Sequence, residues 1–267
     1  MILPISPRLS ILDPEGFKWL IMSEQGVVKS CFLMSIQKYL DSQNKPGILI
    51  LDPESNAALS GFIIPITKWN DDLEVLKSLQ KPNSPVYSWI GIDNINMHFS
   101  MCFNAQLKKM GIDYPPEDFG KTDSIITNHF VTWLRGIINL GIPVIATSHV
   151  TTTEVRIRGN PFNRFIPALR GSSGMSSYKQ IMQSFDIVGF ATFETKSVEA
   201  PKDLRKDLPA SVLAKDPEKA EVRVIHFQPS QYWDAQVPLN LLPAKVTLPS
   251  NWEEDWITIL ENWRKEK

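Results

Sequence analysis

Four short, nearly continuous apolar runs constrain this chain more than any other feature: Trp19–Met22 (WLIM), Gly47–Leu51 (GILIL), Val86–Ile92 (VYSWIGI) and Pro143–Thr147 (PVIAT). Runs of this length without polar alternation suit strands buried on both faces, as in a parallel sheet covered by helices. Helical patterns lie between them. Lys29–Leu40 carries apolar residues at 32, 33, 36, 39 and 40, and Ser124–Leu140 at 126, 130, 133, 134, 137 and 138, each set on one face. Alternating strands and helices predict an α/β domain with a mainly parallel central sheet flanked by helices. Further on, the pattern predicts a short helix over Ser177–Ser184, a fifth strand over Asp186–Phe193 and a late edge strand over Val222–Phe227. An amphipathic helix is expected over Asn251–Lys267, with Trp252, Trp256, Ile259, Leu260 and Trp263 on one stripe. Residues 150–174 read as a long loop rich in Gly, Ser, Asn and Arg, and 197–221 as an exposed, proline-broken excursion. The division this implies is a core over 1–195 and a short C-terminal extension over 196–267.

Composition narrows the functional classes. The chain has 267 residues, 43% of them apolar and 21% charged, as in an ordinary globular protein of one large domain. Its net charge of −1 supplies no global field for nucleic acid or membrane, so any polyanion must be held by a local patch. No apolar run reaches the roughly 18 residues of a membrane-spanning helix, and no basic segment followed by an apolar one marks a secretory signal. Cys31 and Cys102 sit in no metal-binding or disulfide spacing, which makes a reducing cytoplasm the expected setting.

The first strand is followed at once by SEQGVVKS, residues 23–30, and then by a helix. A phosphate-binding loop has the form G-x-x-x-x-G-K-[ST], and its setting is this one: backbone amides and a helix N-terminus between strand and helix cradle phosphate. Gly26, Lys29 and Ser30 agree with it. Ser23 and Val28 stand where glycines belong. A β-branched Val28 forced to positive φ would cost about 1–3 kcal/mol. Candidate nucleotide-binding residues are Ser23, Glu24, Gln25, Gly26, Val27, Val28, Lys29, Ser30 and Cys31, with Lys29 reaching the β/γ-phosphates and Ser30 the Mg²⁺. Three other strand ends carry polar groups. Asp52-Pro53-Glu54 places Glu54 where a base could orient water, Asp93 ends the third strand as a second Mg²⁺ candidate, and Thr147-Ser148-His149 ends the fourth. In an open α/β sheet these carboxyl ends are where ligands bind.

Together, Lys29-Ser30, Asp52-Pro53-Glu54, Asp93 and Ser148-His149 resemble the RecA-like P-loop ATPases over roughly residues 15–195. The compact size and the His at the fourth strand end look most like the phage-encoded, Sak-type single-strand annealing and recombination ATPases. The resemblance implies ATP and Mg²⁺ as cofactors, and Lys29, Glu54 and His149 as catalytic groups. It also implies assembly into a homo-oligomeric ring or filament, and work in the host cytoplasm alongside a recombinase or single-strand-binding protein. Such proteins place a DNA-contacting loop directly after the fourth strand. Here that segment holds Arg156, Arg158, Arg164 and Arg170 around Phe162, the residue types that grip phosphate and stack bases of single-stranded DNA. The rival reading is a non-hydrolysing module that binds DNA or a recombination partner.

Overall fold

The computed structural model describes residues 14–24, 26–55, 59–113, 120–157, 160–169, 174–197, 219–238 and 241–263. In chain order these form β1 (Trp19–Ser23), α1 (Lys29–Ser42), β2 (Ile48–Asp52), β3 (Phe62–Pro65), α2 (Trp69–Leu79), β4 (Trp89–Ile92) and α3 (Ile95–Met110). They continue with α4 (Lys121–Ile138), β5 (Val144–Ile157), β6 (Asn160–Pro167), α5 (Gly174–Met182), β7 (Ile187–Ser197), β8 (Lys219–His226), β9 (Lys245–Thr247) and α6 (Asp255–Asn262). The sheet order is β3-β2-β4-β5-β1-β7-β8-β9, with β6 paired only to β5. Pairing is parallel from β3 through β7 and antiparallel at β7–β8, β8–β9 and β5–β6. The mainly parallel α/β architecture expected from the apolar runs is the one found.

Each buried strand splits its side chains between two cores, as the two-residue period of a strand requires. Leu20, Met22, Leu49, Leu51, Ile90 and Ile92 enter the core that α2, α3, α4 and α5 cover. Trp19, Ile21, Ile48, Ile50 and Trp89 point to the opposite face, against α1 and α6. On that second face Trp256 of α6 is fully buried, with ring centroids 5.3 Å from Trp19, 5.3 Å from Trp89 and 5.8 Å from Phe32. The described residues beyond 195 therefore continue the same sheet and core: β8 and β9 extend one edge, and α6 seals one face. Arg223 of β8 reinforces this, its guanidinium donating to both carboxylate oxygens of Asp255 at 2.7 and 2.9 Å.

Several elements depart from the sequence expectations. Residues 150–157 and 160–167 are not a loop. Strand β5 runs straight on from the sheet and pairs with β6 in an antiparallel hairpin, from Val150↔Pro167 to Ile157↔Asn160. The Gly, Asn and Arg content suggested a loop, but Thr151, Thr152, Thr153, Val155 and Ile157 are β-branched and favour a strand. Strand β8 is not an edge, because three-residue β9, too short to show a period, covers it. The predicted terminal helix is a 3₁₀ turn over Trp252–Glu254 followed by α6. Helices α2 and α3 and strand β3 were not foreseen. Most of the 197–221 excursion lies outside the described residues. Among the described residues no helix is long and apolar enough to cross a membrane.

Replacing Trp256 by Ala should cost about 3–5 kcal/mol, the usual scale for a buried aromatic. Urea unfolding of parent and variant measures this directly. A loss below about 1 kcal/mol would mean that α6 is not part of the core.

Candidate functional site

Strand β1 delivers the chain to a turn that only glycine enters without strain: Gly26 has φ of +82°. Val28 then precedes α1 at φ −146° and ψ −33°. Its φ is negative, so the strain that a positive φ would have imposed on Val28 does not arise. Its side chain is 3% exposed and packs in the core beneath α1 with Val27. As the N-cap of α1, Val28 offers no side-chain acceptor, so the first-turn amides of the helix lack a side-chain cap. They open beside a cleft of about 260 Å³ lined by Gly26, Val27, Val28, Lys29, Ser30, Cys31, Glu54 and His149. The structure thus brings most of the predicted loop together with two of the predicted strand-end groups. Gln25 lies outside the described residues, and Cys31 is exposed, its thiol raised by partial burial.

Lys29 is buried, and its Nζ donates to Ser23 Oγ at 3.1 Å and to the Glu24 carbonyl at 2.9 Å. Burial pushes its ammonium below the ordinary lysine range, opposed by the charges of Asp93 and Glu54. Ser30 Oγ donates to Asp93 Oδ2 at 2.7 Å, while Thr147 Oγ1 of β5 donates to Asp93 Oδ1 at 2.6 Å. Asp93 is 3% exposed, and burial raises its carboxyl despite those two hydroxyl donors. On β2, Asp52 Oδ1 accepts from the Glu54 amide at 2.9 Å and shapes the D-P-E turn. The Glu54 carboxylate receives Asn94 Nδ2 at 2.8 Å and lies 3.6 Å from His149 Nε2. His149 is held below its ordinary value, chiefly by burial and then by the charge of Lys29. Its imidazole is therefore neutral at pH 7.

The donors fit a magnesium–nucleotide complex. Among the described residues no group of three His, Cys, Asp or Glu could hold a metal. One hydroxyl and one carboxylate in contact form the incomplete oxygen set that Mg²⁺ takes when substrate phosphates and water supply the rest. Sequence reasoning missed Asn94 and Asn96 as parts of the site. Asn96 Oδ1 accepts from the His149 amide at 2.7 Å and from Ser148 Oγ at 3.0 Å, fixing the end of the in-sheet part of β5. An Asn at a helix start is an N-cap signal, and that was the one available clue.

Of the predicted DNA residues, Arg156, Phe162 and Arg164 lie on the β5–β6 hairpin. Exposed Arg156 pairs with Glu154 at 3.3 Å, half-buried Arg164 pairs with Asp234, and Phe162 packs edge-on against Tyr232 at 6.0 Å. Arg158 and Arg170 lie outside the described residues.

A glycine-turned loop between strand and helix, a Lys-Ser pair opening that helix, and an acid ending a strand of the same parallel sheet define a RecA-like P-loop domain. The chain belongs to the AAA domain family, whose profile matches residues 15–239. It is also similar in structure to a KaiC-like protein from Pyrococcus horikoshii OT3, at 12% identity over 90% of this chain and 88% of that one, with a TM-score of 0.46. The flagellar accessory protein FlaH from Methanocaldococcus jannaschii gives 9% identity, 88% and 85% coverage and a TM-score of 0.45. No curated protein matches the chain.

Lys29→Ala should abolish Mg²⁺–ATP binding measured by calorimetry, and retained affinity would show that residues 23–30 are not a phosphate loop. Val28→Gly should lower stability by about 1–3 kcal/mol through lost burial, with no relief of backbone strain to offset it.

Proposed function

We propose that this protein binds and hydrolyses ATP with Mg²⁺, and that it couples this to single-stranded DNA in recombination or annealing, as Sak-type phage ATPases do. The observation that carries the first half is the Ser30–Asp93 contact, which joins the helix opening to the strand-end acid across two neighbouring elements. In this reading Lys29 leaves Ser23 and Glu24 to meet the β/γ-phosphates, and the uncapped amides of α1 face the same anion. Ser30 and Asp93 would hold Mg²⁺, which spreads the charge developing on the transferred phosphoryl group. Glu54 takes the proton from the attacking water. In the same reading His149, beside Glu54, would contact the terminal phosphate.

The second half rests on continuity. Strand β5 holds Thr147 and His149 in the site and Arg156 in the hairpin, so a ligand on the hairpin pulls on the strand that lines the cleft. With Arg164 engaged by Asp234, the described residues offer DNA mainly Arg156 and the Phe162–Tyr232 pair. Assembly of several copies into a ring or filament, and contact with a recombinase or single-strand-binding protein, belong to the same reading.

Glu54→Gln should leave nucleotide affinity intact and lower turnover by about 10²-fold or more, the scale of losing a general base. Equal turnover in variant and parent would move the base elsewhere. A parent with affinity but no turnover would instead favour a non-hydrolysing binding module.

For DNA, Arg156→Ala should flatten the log–log salt dependence of single-strand binding by about 0.7, one phosphate contact. Phe162→Ala should weaken binding by about 1–3 kcal/mol with the slope kept. Fluorescence anisotropy reads both, and affinity indifferent to both changes would remove DNA from the hairpin.

A further inference from the structure

We propose that Asn94 is the positioning residue for Glu54, aiming the base from the residue next to the metal-binding acid. The inference rests on the reading of Glu54 as the base. Asn94 is fully buried at the start of α3, and its two amide ends are divided. Its Oδ1 caps the helix by accepting from the Met97 amide at 3.1 Å. The Nδ2 end is thereby turned outward, where it donates to Glu54 Oε1 at 2.8 Å. A flipped amide would lose both bonds, so the cap dictates which end Glu54 meets.

Glu54 needs such a hold. Its side chain is 41% exposed, in a turn whose backbone amide donates to Asp52 Oδ1. Among the described residues none bonds Oε2, which leaves that oxygen to accept a proton from water. The charged and titratable groups around the carboxylate are Lys29 from α1, Asp52 from its own turn, Asp93 after β4 and His149 from β5. A neutral donor at 2.8 Å orients the carboxylate without adding a second cation beside Lys29. Because Asn94 follows Asp93 directly, one rigid strand-to-helix junction sets the spacing between the metal-binding acid and the base.

Two variants separate this role from helix capping. Asn94→Asp keeps a cap acceptor for Met97 and replaces the donor with a carboxylate. Asn94→Ser keeps a short cap and cannot reach Glu54. Turnover of Mg²⁺–ATP is measured from pH 5.5 to 9 for the parent, both variants and Glu54→Gln, with nucleotide affinity alongside. Both variants should bind nucleotide as the parent does and lose about tenfold or more in turnover at pH 7, part of the general-base contribution. In Asn94→Asp alone, the acidic limb of the profile should move upward, since two facing carboxylates share a proton. A mere capping role predicts parental turnover and an unmoved limb in Asn94→Asp, and that result overturns the proposal. Carbon-13 spectra of carboxyl-labelled glutamate read the contact without turnover. The Glu54 resonance should titrate at higher pH in Asn94→Asp than in the parent, and an unchanged titration overturns the proposal too. A parent that shows no turnover, equal to Glu54→Gln, defeats Glu54 as base, while the spectra still decide whether Asn94 holds it.

Discussion

The buried carboxylate of Asp93 is the point on which the arrangement of the site depends. A carboxylate taken out of water is costly unless its oxygens are bonded, and here each oxygen receives a hydroxyl, from Ser30 of α1 and Thr147 of β5. Those two bonds tie the loop that follows β1 to β4 and β5, three strand ends that would otherwise be held only through the sheet. The raised carboxyl of Asp93 and the lowered ammonium of Lys29 share one cause, burial. Both groups are poised to gain when a doubly charged cation and a polyphosphate enter together.

A second polar group lies behind the site rather than in it. His98 Nδ1 meets both Asp72 oxygens at 2.9 Å, the ring stacks on Trp133 at 5.5 Å, and its Nε2 lies 3.4 Å from the carbonyl of Leu51, the residue before Asp52. This pair connects α2 and α3 to the end of β2, with the Trp133 indole donating to the Asp72 carbonyl at 3.2 Å. Removing one partner from so buried a pair leaves an uncompensated polar group and is strongly destabilising. Counting from Asn94, the alternate residues Asn94 and His98 both hold the end of β2, at Glu54 and at Leu51, while Asn96 between them holds β5 at Ser148–His149. The start of α3 is thus the frame against which β2 and β5 are set.

Much of this was legible in the sequence, for physical reasons. The runs WLIM, GILIL and PVIAT name strands because only a strand buried on both faces has so little use for polar residues. Lys29, Ser30, Glu54, Asp93 and His149 could be placed at one edge because the carboxyl ends of parallel strands converge there. What stayed hidden depended on partners distant in sequence. Val28 looks like a strained intruder in its octapeptide, and only the core beneath α1 shows where its side chain goes. Asn94 and Asn96 are unremarkable until the strand ends meet them. Strand β5 past residue 150 was concealed by the polar composition of a hairpin that has no core face along much of its length.

Trp256 has a consequence for how the chain reaches its fold. Its ring sits among Trp19, Phe32 and Trp89, and its amide donates to Ser35 Oγ across 221 residues of sequence. A contact of that span carries a high loop-closure cost. Until α6 arrives, β1 and β4 present tryptophans to water on one face of an otherwise assembled sheet. A nascent or truncated chain that carries the complete phosphate loop and strand ends but lacks α6 would therefore expose a broad aromatic surface. That is a substrate for chaperones and for aggregation rather than for nucleotide.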